Sequence, residues 1–366
     1  MKILFISFYD LDYNGRTREL IKSLSSVGEL YTVTKTKNIH VRNTEIHTFR
    51  FVEKSYFHYV KETLKYVRKL KKEKIDILLI DDRKAVIPGR IAKHMLHPRL
   101  VIQDCRELYV IKDVHTLPAK TGCLVETPAI KKADILICAN EERADYMKDF
   151  YHLSDRPIPY ENIRKLNYSD DADISGFEEK YKELFGRDEF RILTTAGCRL
   201  ERTNDILVRN MKYLKEGIRL VIVGEDAPSD RKAVEQIIAE NGIENITILG
   251  RLKQDELKYV TQHCQIGVVN YHQNDLNNKY CASGKLYEFL YEGLPVITTT
   301  NPPLKNMCEK YGVGIADDEY YQGILAIKED YDTYQKNVKN YTADLSVEKN
   351  NERLAAELKR RIDALM

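Results

Sequence analysis

The sequence predicts an α/β protein of two doubly wound domains, each a parallel sheet covered by helices on both faces. Three observations carry this reading. At 366 residues the chain is too long for one ordinary core and suits two. Short apolar runs alternate with amphipathic stretches through both halves, the pattern of strands buried on both faces with helices between them. The rhythm breaks once, from Asp155 to Asp188, into prolines, tyrosines and acids, and then restarts.

In the first half the runs Ile3 to Phe8, Leu30 to Thr34, Ile46 to Phe51, Ile75 to Ile80, Leu100 to Gln103 and Ile135 to Ala139 read as strands. The apolar part of Met1 to Asp10 is too short for a signal peptide and lacks a small-residue cleavage site, so it reads as the first buried strand. A first domain over 1–165 follows, then a linker over 166–189 whose Ser169-Asp170-Asp171-Ala172-Asp173 is loop-like. Strands resume at Arg191 to Ala196, Leu220 to Val223, Ile246 to Leu249, Ile266 to Val269 and Pro295 to Thr299. Helices are expected at Asn204 to Lys215, Arg231 to Asn241 and Gln254 to His263, giving a second domain over 190–344. Leu354, Leu358, Ile362 and Leu365 recur at helical spacing in the tail and predict a final helix within 345–366.

Composition narrows the class. Hydrophobic residues make up 43% and charged residues 31%, and no apolar run approaches the roughly 20 residues of a membrane-spanning helix. A cytoplasmic protein is expected. The seven cysteines (Cys105, Cys123, Cys138, Cys198, Cys264, Cys281, Cys308) are odd in number and form no C-x-x-C pair, so free, mostly buried thiols and no metal site are expected. Residues 1–165 carry 31 Lys and Arg against 22 acids, and residues 166–366 carry 27 against 34. That asymmetry points the first domain toward something anionic.

The densest signal is Ser283-Gly284-Lys285-Leu286-Tyr287-Glu288-Phe289-Leu290-Tyr291-Glu292-Gly293-Leu294-Pro295-Val296-Ile297-Thr298. It reads as loop, helix, glycine stop and buried strand. Gly284 frees the backbone at the helix start, where unpaired N–H groups hold an anion; Lys285 adds charge in the first turn, and Glu288 follows a turn later. Glu292 reads as a solvated acid at the helix end. The stretch resembles the nucleotide-sugar signature of glycosyltransferase family 4, retaining enzymes of the GT-B fold, at Glu288, Gly293, Pro295, Val296 and Ile297, with Lys285 matching a common sub-pattern. The order of Leu220 to Glu225, Ile246 to Leu252, Asp255-Glu256-Leu257 and Gly312-Val313-Gly314 follows the same family.

The resemblance implies two Rossmann-like domains facing a central cleft, with the C-terminal helix packing back toward the first. It also implies a nucleoside diphosphate sugar on the second domain and an acceptor on the first. Arg199 and Arg202, after the strand ending at Ala196, would hold the diphosphate with Lys285 and the backbone of Ser283 and Gly284; the alternative is two solvated arginines. Glu288 would accept hydrogen bonds from the ribose, the alternative being an exposed helical acid. Gly197, Gly224, Gly250, Arg251 and Leu286 complete the expected donor site, with Asn14, Gly15 and Arg16 from the turn Leu11-Asp12-Tyr13-Asn14-Gly15-Arg16-Thr17-Arg18. Asn14 and Gly15 both tolerate positive φ there. Asp104, Arg106 and Glu107 resemble a D-x-H-E segment and, with Lys285, are the expected catalytic residues; a structural role is the alternative for the two acids. The sequence departs from the family at Arg106, where histidine is usual, and at Tyr280, where many members have a second glutamate.

Arg50 to Lys74 holds nine basic residues against three acids, and Arg83 to Arg99 is basic and free of acids. The readings are a solvated face over a core stripe, or contact with a lipid diphosphate acceptor or with an anionic membrane surface that makes the protein peripheral at the inner face of the cell membrane. No nucleic-acid module accompanies the charge. No cofactor or metal is expected beyond the donor itself. The expected activity is transfer of a UDP- or GDP-linked sugar to a glycan or lipid-linked acceptor in bacterial surface polysaccharide or glycolipid synthesis. A sugar-nucleotide epimerase of the same fold and a catalytically weak binding subunit are the rivals.

Overall fold

The computed structural model describes residues 1–11, 14–36, 47–52, 54–214 and 217–366. Asp12, Tyr13, Ile46 and Lys215, which enter the expectations above, lie outside them. The chain divides into two units, Met1–Asn162 with Val347–Met366, and Ile163–Ser346.

In the first unit the apolar runs become β1 (Lys2–Asp10), β2 (Glu29–Thr36), β3 (His47–Val52), β4 (Ile77–Asp81), β5 (Leu100–Cys105), β6 (Ile135–Cys138) and β7 (Ile158–Pro159). All pair in parallel, in the order β3-β2-β1-β4-β5-β6-β7. The alternation of side chains splits β1 between two cores. Ile3 and Phe5 pack with Leu79, Ile102 and Ile137 on one face, and Leu4 and Ile6 with Leu78 and Ile80 on the other. The final helix, Val347–Leu365, inserts Leu354, Leu358 and Ile362 into the first of these cores, so the last element of the chain belongs with the first domain as expected.

In the second unit β8 (Phe190–Thr194), β9 (Ile218–Val223), β10 (Ile246–Gly250), β11 (Ile266–Val269), β12 (Val296–Thr298) and β13 (Gly314–Ala316) form another parallel sheet, in the order β10-β9-β8-β11-β12-β13. The order reverses direction between β8 and β11. In open α/β sheets that crevice at the carboxyl edge is where ligands bind. The stretch expected as a linker, 166–189, contains the helix Ile174–Phe185. Ile174, Phe177, Tyr181 and Leu184 share one face of it and pack on this unit's core, an apolar stripe hidden among lysines and acids.

Candidate functional site

The site is built where the second sheet reverses. The loop leaving β8 turns at Gly197, at φ 67°, and its backbone lies against Gly224, at φ 144°, just after β9. A side chain on Gly224 would run into the Gly197 backbone, so both glycines are there for close approach as well as for their dihedrals. The Asp226 carboxylate accepts from the Cys198 amide, and Asn204 Nδ2 donates to the Gly197 carbonyl at 2.7 Å. Asn270, at the end of β11, donates to Asn204 Oδ1 at 2.9 Å. These buried amides tie the two sides of the crevice together and fix the path of the loop carrying Arg199 and Arg202.

A pocket of about 200 Å³ opens there, lined by Thr195, Arg199, Arg202, Tyr271, Ser283 and Lys285 among others. Arg202 lies over the Tyr271 ring, 4.0 Å from its centroid, which holds the guanidinium plane by cation–π contact. Thr195 Oγ1 and Arg202 Nη1 are buried with no hydrogen-bond partner among the described residues. Buried donors without partners cost stability, and at a pocket wall they are groups for a ligand to satisfy.

The helix Gly284–Tyr291 brings the remaining groups. Its N-cap residue, Ser283, makes no capping bond from its side chain, so the first turn presents amides at the positive end of the helix dipole. Gly284 has an ordinary negative φ, contrary to the expectation of a freed backbone. Its missing side chain makes room instead, because a Cβ there would strike the guanidinium of Arg164. Lys285 Nζ donates to the Thr195 carbonyl and so faces the pocket. Burial, with Arg202, Arg164 and Arg199 nearby, pulls its ammonium down to about 8, against the opposite pull of Glu288. One turn on, Glu288 is mostly buried, with Arg164 Nε 3.4 Å from its Oε1. Burial pushes its carboxyl above the ordinary range, opposed by Arg164 and Lys285. Gly293 ends the helix at φ 83° and the chain enters β12.

Of the expected donor residues, the structure brings Arg199, Arg202, Ser283 and Lys285 to one pocket wall and places Gly197, Gly224, Gly284 and Glu288 beside it. Leu286 is buried in the core. Arg251 sits on the surface in an ion pair with Glu225, 3.1 Å, and neither it nor Gly250 lines the pocket. Glu292 is not solvated: it pairs with Lys258 at 2.6 Å and accepts from Gln262, because the helix Gln254–Gln262 runs alongside. Tyr280 is half-buried after the short helix Leu276–Lys279. Arg164, which no sequence pattern marked, is the residue the structure adds.

In the first unit the expected residues meet one another. Arg106 is buried and makes a two-pronged ion pair to Asp81, with Nε 2.5 Å and Nη2 2.9 Å from its oxygens. It also donates to Thr17 Oγ1 at 2.7 Å and to Asn14 Oδ1 at 3.0 Å. Asn14 caps the helix Gly15–Ser25 by accepting from the Thr17 amide, with φ −114°, so neither it nor Gly15 uses the positive φ expected of the turn. Arg16 donates to Asp104 Oδ1 at 3.0 Å and to the Tyr160 carbonyl at 2.5 Å. Asp104 is fully buried and Glu107 is half-buried. The partners of Arg106, Asp104 and Arg16 are thus internal, and their network occupies the carboxyl edge between β1 and β4, where the order of the first sheet reverses.

All seven cysteines are free and buried. Among the described residues no cluster of three metal-ligating side chains occurs, and no helix is long and apolar enough to cross a membrane.

Residues 190–341 match the family model described as Glycosyl transferases group 1. No curated protein sequence matches the chain. Among solved structures, sucrose-phosphate synthase from Thermosynechococcus elongatus is similar at a TM-score of 0.73 and 17% identity, over 100% of both chains. HepE from Anabaena, solved with UDP-glucose, is similar at 0.70 and 15%, over 98% of this chain and 100% of that one. WaaG, a glycosyltransferase involved in lipopolysaccharide biosynthesis, is similar at 0.67 and 12%, over 96% and 98%. At these identities the likenesses show the fold, GT-B, and the family model carries the resemblance read from the sequence.

Proposed function

We propose, for a glycosyltransferase whose second unit belongs to the group 1 family, that it transfers a sugar with retention from a UDP- or GDP-linked donor to a glycan or lipid-linked acceptor. The observation that carries this is the pocket at the reversal point of the second sheet. There Arg199, Arg202, Lys285 and an uncapped helix N-terminus converge, with the Glu288 carboxylate one turn beyond.

The chemistry follows from the charges. Breaking the bond between the anomeric carbon and the diphosphate oxygen puts negative charge on the diphosphate as it leaves. Fixed cations and backbone amides aimed at that charge stabilise it without reorganising. The acceptor hydroxyl attacks on the same face, and its proton passes to the departing phosphate oxygen. Glu288 takes the ribose hydroxyls, as acids do in dinucleotide folds. In this reading the cations do the work that a divalent metal does in other transferases. The solved complex of HepE with UDP-glucose favours a UDP-linked donor.

The acceptor is assigned to the first unit, and a bacterial surface polysaccharide or glycolipid is the setting. Exposed Phe57, Ile87, Ile91, Leu117 and Leu124, on helices that pack beside one another, stand among the basic residues of Arg50 to Arg99 and their neighbours. They favour a peripheral position on anionic lipid. Flotation with phosphatidylglycerol vesicles, absent with phosphatidylcholine, tests that part.

The test of the reaction is proton NMR of UDP-glucose and of GDP-mannose incubated with the protein, alone and with acceptor glycans. Release or transfer of sugar that keeps the donor's anomeric configuration at first appearance is the expected result. Inverted product, or a changed sugar still attached to nucleotide, overturns it, the latter in favour of the epimerase.

A further inference from the structure

Arg164 stands at the start of the second unit, in irregular chain between β7 and the helix Ile174–Phe185. Its guanidinium lies across the N-terminus of the helix Gly284–Tyr291, flush against Gly284, where any side chain would displace it. A cation is the wrong charge for that place. The dipole and the uncapped amides favour an anion there, and Arg199, Arg202 and Lys285 already crowd the same pocket. What holds Arg164 is Glu288, at 3.4 Å from Nε to Oε1, longer than the usual charge-assisted bond. Nearly half of the Arg164 side chain is exposed and Glu288 is 16% exposed, so the arginine is the partner with room to move.

We propose that Arg164 is a fourth diphosphate-binding cation that also holds Glu288 in the empty site: it pairs with Glu288 until a nucleoside diphosphate arrives, then turns onto the phosphate oxygens and releases the carboxylate to the ribose. The inference rests on the donor-site reading above and adds an exchange of partners to it. With donor absent, the Arg164–Glu288 pair satisfies a mostly buried carboxylate. With donor present, the planar fork finds the phosphate oxygens it suits better, and Glu288 finds hydroxyl donors. Gly284 is the residue that permits this, since only a glycine at the first helical position lets a guanidinium lie on the helix end and reach both partners.

Removing Arg164 therefore separates ligands with phosphates from ligands without them. Isothermal titration of the full chain with UDP, UMP and uridine, and with GDP, GMP and guanosine, is done on wild type, Arg164→Ala, Arg164→Lys and Lys285→Ala. Arg164→Ala is expected to weaken the diphosphate about tenfold or more, the worth of one charge-assisted bond. It is expected to leave the nucleoside unchanged or tighter, because Glu288 no longer has to be released. Arg164→Lys keeps the charge without the fork and is expected to lie between. Equal loss for diphosphate and nucleoside, or wild-type diphosphate affinity in Arg164→Ala, overturns the inference. If the wild type binds neither diphosphate, the donor-site reading itself falls. If Lys285→Ala weakens the diphosphate and Arg164→Ala does not, the site stands and only the role of Arg164 falls. Thermal unfolding of each variant without ligand confirms that it is folded when titrated.

Discussion

Replacing Lys285 by methionine is expected to make the empty protein more stable while it loses its ligand. The ammonium is buried among three arginines, which pulls it from 10.5 to about 8. At about 1.4 kcal/mol per unit, holding the charge there costs about 3 kcal/mol relative to the unfolded chain. Methionine keeps most of the stem and removes that cost, but it strands the Thr195 carbonyl, worth about 1 kcal/mol. The net is a gain of about 1–2 kcal/mol at neutral pH, or a few degrees in the melting temperature of a unit this size. The pH dependence gives the sign a second check. Between about pH 8 and 10.5 the unfolded chain holds a proton on Lys285 that the folded chain has lost, so wild-type stability rises through that window relative to the variant. The advantage of methionine is full below about pH 8 and gone by about 10.5. Urea denaturation of both proteins at pH 7 and pH 10, with and without UDP, reads all of this. A variant less stable than wild type at pH 7, or a difference that does not change with pH, refutes the reasoning. UDP is expected to stabilise the wild type and not the variant.

Gly224→Ala forces a side chain into a φ of 144° and onto the Gly197 backbone, and should destabilise by about 2–4 kcal/mol in the same denaturation assay. Gly15→Ala, with open space and ordinary φ, should stay within about 0.5 kcal/mol of wild type or gain slightly. Arg106→Ala leaves Asp81 buried and unpaired and should cost about 3–5 kcal/mol, a loss of folding of the first unit that circular dichroism in urea detects. A loss near zero with turnover abolished would instead make Arg106 a group that acts on the substrate.

Strand runs such as Ile266–Val269 were legible because parallel strands buried on both faces are short, continuous and apolar. β7 and β13 were not, being two and three residues long and containing proline or glycine. The helix Ile174–Phe185 was hidden because its apolar stripe is interrupted by charges that the eye reads as loop. In the site, Lys285 and Glu288 could be paired from sequence because one turn of helix separates them. Arg164 could not, since its partner lies far along the chain and its seat depends on what Gly284 lacks. Arg106 shows the same limit from the other side. An arginine after a strand reads alike whether it greets a substrate or, as here, closes onto Asp81 from a neighbouring strand. Glu292 likewise looked solvated until a second helix supplied Lys258.

The most direct test of the central claim is a thermal-shift panel of UDP, GDP, ADP, CMP and NAD, each with EDTA, on wild type and Glu288→Ala. Ligand at a hundredfold excess over its dissociation constant stabilises by about 2.7 kcal/mol, well within reach of the method. Stabilisation by one nucleoside diphosphate, indifferent to EDTA and lost in Glu288→Ala, is the expected result. No response to any nucleoside diphosphate, a response to NAD alone, or an undiminished response in Glu288→Ala contradicts a donor site built on Lys285 and Glu288.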